Sequence, residues 1–322
     1  MSSMMQMFLG AGGATPGLPY FGDIGIWSGG VDKTQSSDVY SIVTRYVSIP
    51  TTSGATLGGD LVKNKRVGAG CSNGLRALYC GGKYAIPGGS VGSESSTIEY
   101  QTISTQSACS EFGDITDGTA YIAGCSNGTR GVFGGGESPS RTEVIEYVVI
   151  DTTGDAVDFG DLYEARHSHA ACSNGTRGVF VAGDTTSPGI SDDIEYITID
   201  TTGSGTDLCD LSYSAYELTA CGNRERALVS TGRYPGGPSR IEDISYFDPA
   251  STSDAQDFGD LTTARKGAAA VNNETRAVFG GGEDSSDYAD TIDYVTIATT
   301  GDADDFGDLA THMGSPQAAS GD

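Results

Sequence analysis

The chain has 322 residues, a formal net charge of −25, 37% hydrophobic residues and 48 glycines. That charge argues against a nucleic-acid partner, which would need a basic stripe. No run of ~18 apolar residues is present to cross a bilayer as a helix, so no membrane insertion is expected. Low apolar content with abundant glycine points to thin sheets and many turns.

Residues 1–20, MSSMMQMFLGAGGATPGLPY, match nothing else in the chain. They contain no Lys or Arg, so no secretory signal is expected. Met4, Met5, Met7, Phe8 and Leu9 form an apolar cluster ahead of a Gly-rich hinge. Such a segment has to be covered, either by the rest of its own chain or by a neighbouring protein into which it anchors.

From residue 21 onward the chain repeats itself. The unit is clearest between Arg166 and Leu211: a small apolar strand HSHAAC, a strand RGVFVAG ending on glycine, an alternating strand DDIEYITID, and a last strand running into Asp-Leu. The third-strand tyrosines Tyr46, Tyr100, Tyr147, Tyr196, Tyr246 and Tyr294 are separated by 54, 47, 49, 50 and 48 residues. The closing aspartates Asp60, Asp114, Asp161, Asp210, Asp260 and Asp308 show the same five separations. A period near fifty with four strands per copy is the signature of propeller blades. The expected fold is therefore all-β: a six-bladed β-propeller over residues 21–322 with four strands per blade, behind an N-terminal extension of residues 1–20.

The first copy lacks its innermost strand and begins at Gly25-Ile26-Trp27-Ser28-Gly29-Gly30. The chain end, ATHMGSPQAASGD, aligns with YEARHSHAACSNG of the fourth copy. The C-terminal strand is thus expected to pair with the N-terminal blade, which removes two exposed sheet edges. Innermost strands carry alanine and glycine because only small side chains fit where strands converge. Ser-Asn-Gly follows in three copies (72–74, 126–128, 173–175), a strong hairpin signal.

An arginine follows each such turn: Arg76, Arg130, Arg177, Arg226 and Arg276. With one closing aspartate per blade, an architectural Arg–carboxylate pairing is expected. The acidic turns between third and fourth strands, such as Asp151–Asp155, read as Asx turns, and their spacing does not fit an EF-hand loop. His167 and His169 alternate on one inner strand and are expected to share a face, with no third ligand for a metal. Cys71, Cys125, Cys172 and Cys221 occupy one repeat position; they and the other three cysteines read as small buried hydrophobes in a reducing compartment. No nucleophile elbow, paired-carboxylate motif or phosphate loop is present, so no catalytic residue, metal or cofactor is assigned.

What varies among copies is the loop between second and third strands: 31–38, 83–95, 137–141, 184–191, 233–240 and 283–289. Tyr84, Arg141, Arg233, Tyr234, Arg240 and Tyr288 in these loops are residue types favoured at contact hot spots. They are the candidates for a ligand-binding face.

The unit resembles the kelch repeat: an Arg, small residues, a turn, a hydrophobic-Gly-Gly strand (Phe133-Gly134-Gly135) and an acidic-Tyr strand (Glu146-Tyr147). Phe112, Phe159, Leu208, Phe258 and Phe306 stand near the place of the usual tryptophan. IDTTGDAVDFGDL, SNGTRGVFGGG and the start MFLGAGG are similar to kelch-like repeats of tailed-phage virion and tail-fibre proteins. The resemblance implies a non-enzymatic virion component (tail fibre, tail or capsid-decorating protein), made in the host cytoplasm. It would bind other virion proteins through the N-terminal extension and a host glycan or surface protein through the loop face, with a homo-oligomer left open. The alternatives are a carbohydrate-active or sugar-oxidising propeller enzyme and an intracellular adaptor of the kelch type.

Overall fold

The computed structural model describes residues 22–32, 39–86, 90–186, 189–236 and 240–321. The anchor candidates Met4, Met5, Met7, Phe8 and Leu9 lie outside them. Among the described residues the fold is all-β and propeller-like: antiparallel sheets and a single 3-10 turn at Ile103–Thr105.

Six sheets have four or five strands. The first joins Gln317–Gly321, Ile24–Ser28, Val43–Ser48 and Thr56–Asp60, in that order. Gly25 pairs with Ser320 and Ile26 with Ala319, so the last strand of the chain lies beside the first, as the terminal alignment implies. The third sheet shows the regular unit: Ala123–Ser126, Arg130–Gly134, Val144–Val149 and Val157–Asp161. Its second strand is buried on both faces. Phe133 packs back against Leu78 and Phe112 of the second sheet, and Val132 packs forward against Phe180 of the fourth. Full burial of such a side chain stabilises by about 1.5–3 kcal/mol.

The core is accordingly divided. Six hydrophobic clusters each lie between two consecutive sheets, and one of them joins Phe306 and Val278 of the sixth sheet to Trp27 and Val47 of the first. Each innermost strand touches the innermost strands of both neighbouring sheets.

Two backbone hydrogen-bond series run through all six sheets. At one end of the innermost strands, Tyr121 N–H donates to Val67 O, Ser168 to Tyr121, Glu217 to Ser168, Gly267 to Glu217, Ser315 to Gly267, and Val67 back to Ser315, at 2.7–3.3 Å. At the outer rim, the carbonyls of Asp60, Asp114, Asp161, Asp210, Asp260 and Asp308 accept from Cys109, Ala156, Gly205, Ala255, Ala303 and Ala55 at 2.7–2.9 Å. Each donor belongs to the turn between third and fourth strands of the following sheet, so the outer edge strands are partly covered rather than free for strand addition.

The arginine series corrects one expectation. Arg76, Arg130, Arg177, Arg226 and Arg276 do not pair with the closing carboxylates. Each donates to carbonyls of the following sheet's turn: Ile150 and Asp151, Ile199, Pro249, Ile297, and Ile49 with Pro50, at 2.9–3.2 Å. Each guanidinium also lies 4.0–5.0 Å from the ring of Tyr100, Tyr147, Tyr196, Tyr246 or Tyr294. The carboxylates were the wrong partner because the turn presents carbonyls that the strands leave unbonded.

Carboxylates meet cations elsewhere, inside the sheets. Lys65 pairs with Glu99 at 3.2 Å, Arg166 with Glu195 at 3.1 Å and Arg265 with Asp293 at 2.6 Å, all fully buried. In the first sheet the polarity is inverted. Arg45 stands where the others have the acid, and reaches Asp32 at 3.1 Å and Met313 Sδ at 3.8 Å. All seven cysteines are free. Burial pushes their thiols up, that of Cys172 to about 12, so they act as small hydrophobes.

Candidate functional site at the mouth of the central channel

Every second strand ends in two residues with left-handed backbone. In the third sheet these are Gly135 (φ 63°) and Gly136 (φ 105°), and a Cβ on Gly136 would lie 2.7 Å from the Ala120 carbonyl. That explains the paired glycines of the repeat; Ala182 and Thr231 adopt the same conformation at its first position. The chain then swings outward and pairs with the segment that leads into its own innermost strand. The pairs are Val31 with Gly314, Arg66 with Lys83, Ala120 with Glu137, His167 with Asp184, Tyr216 with Arg233 and Lys266 with Glu283.

Just inside this collar lie Val67, Tyr121, Ser168, Glu217, Gly267 and Ser315, all at φ between 50° and 59°. Five are not glycine, and each costs of order 1–3 kcal/mol in strain. The hydrogen-bonded series described above holds them there. Their side chains differ from sheet to sheet. The opposite end of the channel is more uniform: Ser72, Ser126, Ser173 and Ser320 share one position, and Ser126 Oγ donates to Ser72 O at 2.6 Å.

The mouth holds a cavity of about 170 Å³, bordered by Arg66, Tyr121, His169, Glu217, Lys266 and Tyr288 among others. Lys266 Nζ sits between Glu217 (3.3 Å) and Glu283 (3.0 Å). Lys83 sits between Glu94 and Glu137, both at 3.5 Å, and 5.1 Å from the Tyr121 ring. His169 is buried and packs on Phe180 with ring centroids 5.9 Å apart. Burial, helped by Arg166 and His167, pushes its pKa down to about 3, so the imidazole is neutral. Neither ring nitrogen has a hydrogen bond of normal geometry; the Gly134 carbonyl is near enough to raise the pKa slightly and no more.

His167 and His169 do not share a face, contrary to expectation. The left-handed turn at Ser168 (φ 55°) breaks the alternation. His167 lies 5.6 Å from the Tyr121 ring and 3.5 Å from Asp184, while His169 points into the sheet junction. Among the described residues no group of three or more His, Cys, Asp or Glu is placed to hold a metal ion.

The six loop candidates part company. Tyr288 borders the mouth, its ring over Gly314, where a Cβ would meet it at 2.4 Å. Arg141 and Arg240 clamp the following sheet. Arg141 bonds the carboxylate (2.7 Å) and carbonyl (3.1 Å) of Asp184, and Arg240 those of Glu283 (2.7 and 2.9 Å). Arg233 lies 5.5 Å from the Tyr216 ring. Tyr234 donates to Asp243 and meets Tyr213 edge-on at 5.3 Å, away from the mouth. Tyr84 lines a separate depression with Tyr40, Ile42 and Val62. Sequence reasoning missed Arg66, Tyr121, Glu217 and Lys266, which precede the innermost strands instead of following the second. The same copy-to-copy comparison, applied there, would have found them.

No family model matches the chain, and no curated protein matches it. A solved structure titled "Structure of YjhT" is similar, with a TM-score of 0.67 over 87% of this chain and 97% of that one. The identity is 11%, and the likeness is one of fold.

Proposed function

We propose that this chain is a six-bladed, kelch-like β-propeller acting as a non-enzymatic structural and binding component of a phage virion, recognising a host-surface ligand with the mouth face. The observation that carries the binding role is the contrast between the two channel ends. Identical backbone geometry repeats six times at the mouth, yet the side chains there change from sheet to sheet. A rigid scaffold with one individual face is the arrangement used for recognition. The six inter-sheet clusters and the cyclic hydrogen-bond series support the blade count. The virion assignment rests on the sequence resemblance, with the N-terminal extension as the attachment to other virion proteins.

Mass spectrometry of purified particles tests the assignment. The chain is expected as a stoichiometric particle component, and particles lacking it, or a chain found only in the lysate, overturn it. Removing residues 1–20 is expected to leave the fold intact and block incorporation.

A further inference from the structure

Resting on that reading, we propose that the channel mouth binds one neutral, hydroxyl-bearing ring, a pyranose unit of a glycan, with Tyr121 and Tyr288 as its aromatic walls and His169, Glu217 and Lys266 as its hydrogen-bonding groups.

Three observations lead there. The first is unmet hydrogen-bonding capacity. His169 is 5% exposed, borders the cavity, and has no normally formed hydrogen bond at either ring nitrogen. Gln317, 1% exposed and bordering the channel one layer deeper, has none at either amide atom. Buried polar groups in folded proteins are nearly always satisfied, so a hydrogen-bonding occupant belongs in this channel. A neutral imidazole offers one donor and one acceptor, which suits a hydroxyl and does not suit a fixed charge.

The second is charge. Lys266 is already compensated by two carboxylates, and Glu283 also holds Arg240. An ionic ligand would have to displace these pairs, while hydroxyls can bond to them in place. Arg66 is the lining cation without such a pair; its guanidinium lies 5.0 Å from the Tyr40 ring. The net charge of −25 opposes the approach of an anion.

The third is shape. About 170 Å³ corresponds to roughly six waters of liquid, space for one sugar ring and not for a folded partner's loop. Aromatic walls with polar groups between them present an apolar face to C–H groups and a wet edge to hydroxyls.

The full chain would be titrated with D-glucose, D-galactose, N-acetyl-D-glucosamine and D-glucuronate, with saturation-transfer NMR as the readout. At least one neutral sugar is expected to bind in the millimolar range, more tightly than glucuronate. Tyr121→Asn, a side chain that tolerates the left-handed backbone, should weaken binding at least tenfold, while Tyr84→Ala should leave it unchanged. Glu217→Gln gives a second variant should the first fail to fold. Binding of no neutral sugar, preference for glucuronate, or binding that survives both mouth variants overturns the proposal. A particle that contains the chain but shows no sugar binding would overturn this inference and leave the virion reading standing.

Discussion

The junction between the third and fourth sheets and the one between the first and second do the same job with different chemistry. At the third–fourth junction Phe180 packs on Val132, Ile145 and Leu162, Tyr147 stands edge-on to Phe159 at 5.9 Å, and Arg130 ties the sheets together. At the first–second junction Tyr79 takes the place of Phe180. Tyr46 OH donates to Gln101 Oε1 at 2.6 Å, and Gln101 Nε2 donates to Tyr79 OH at 2.6 Å. Tyr46 is folded over Gly58, where a Cβ would fall 1.8 Å from its ring and where other sheets carry Phe or Leu. Ile24 stands in place of the tying arginine. This junction flanks the sheet assembled from both chain ends. Apolar packing tolerates small shifts, whereas a buried hydrogen-bond chain penalises any register but one. The polar junction therefore supplies specificity where chain connectivity does not.

The strongest way to break the comparison is to remove the seam strand itself. Deleting residues 310–322 takes away Gln317–Gly321, exposes the edge of Ile24–Ser28, and should abolish soluble monomer in size-exclusion chromatography. A full-length-like melting curve would contradict the closure.

Next in size, Arg265→Ala leaves Asp293 buried and unpaired and should cost about 3–5 kcal/mol in urea unfolding. Replacing both partners with leucine should recover most of that loss.

Titration of His169 gives a pH-dependent term. The unfolded chain takes up a proton near the ordinary histidine pKa of about 6.5, which the folded chain refuses until about 3. This contribution is complete above the unfolded value and is lost as pH falls toward the folded one, by about 1.4 kcal/mol per unit. Glu195 and Asp293, whose pKa values burial raises, oppose it over part of that range. His169→Leu should flatten the dependence between pH 6 and 4.5 in urea melts; an unchanged slope would contradict the buried neutral imidazole.

The hydrogen-bond chain sharpens the contrast more gently. Gln101→Leu should cost about 1–3 kcal/mol by stranding two tyrosine hydroxyls. The smallest effect is expected at a regular junction: Arg130→Ala should lose about 1–2 kcal/mol, from one carbonyl bond and one cation–π contact, measured in the same urea series.

Much of the fold was legible because each unit is local and repeated. Tyrosine and aspartate markers kept their separations, and the C-terminal segment matched the strand missing from the first copy. The binding face was legible only in part. Tyr288 came from a variable loop, but Tyr121, Glu217 and Lys266 sit in a connection that looked like part of the scaffold. Their role depends on backbone geometry that no residue type announces, since Val67, Tyr121, Ser168, Glu217, Gly267 and Ser315 share one conformation without sharing a side chain.

By itself, then, the sequence determined the strand order, the all-β class and the match between the two chain ends, because alternation, turn residues and repetition act over a few neighbouring positions. Which groups meet was decided in three dimensions. Arginines found the next sheet's carbonyls instead of aspartates, two histidines two residues apart ended on different sides of a left-handed turn, and the mouth drew its lining from all six sheets. Such contacts join residues some fifty positions apart or more, and only packing selects among the partners each group could bond.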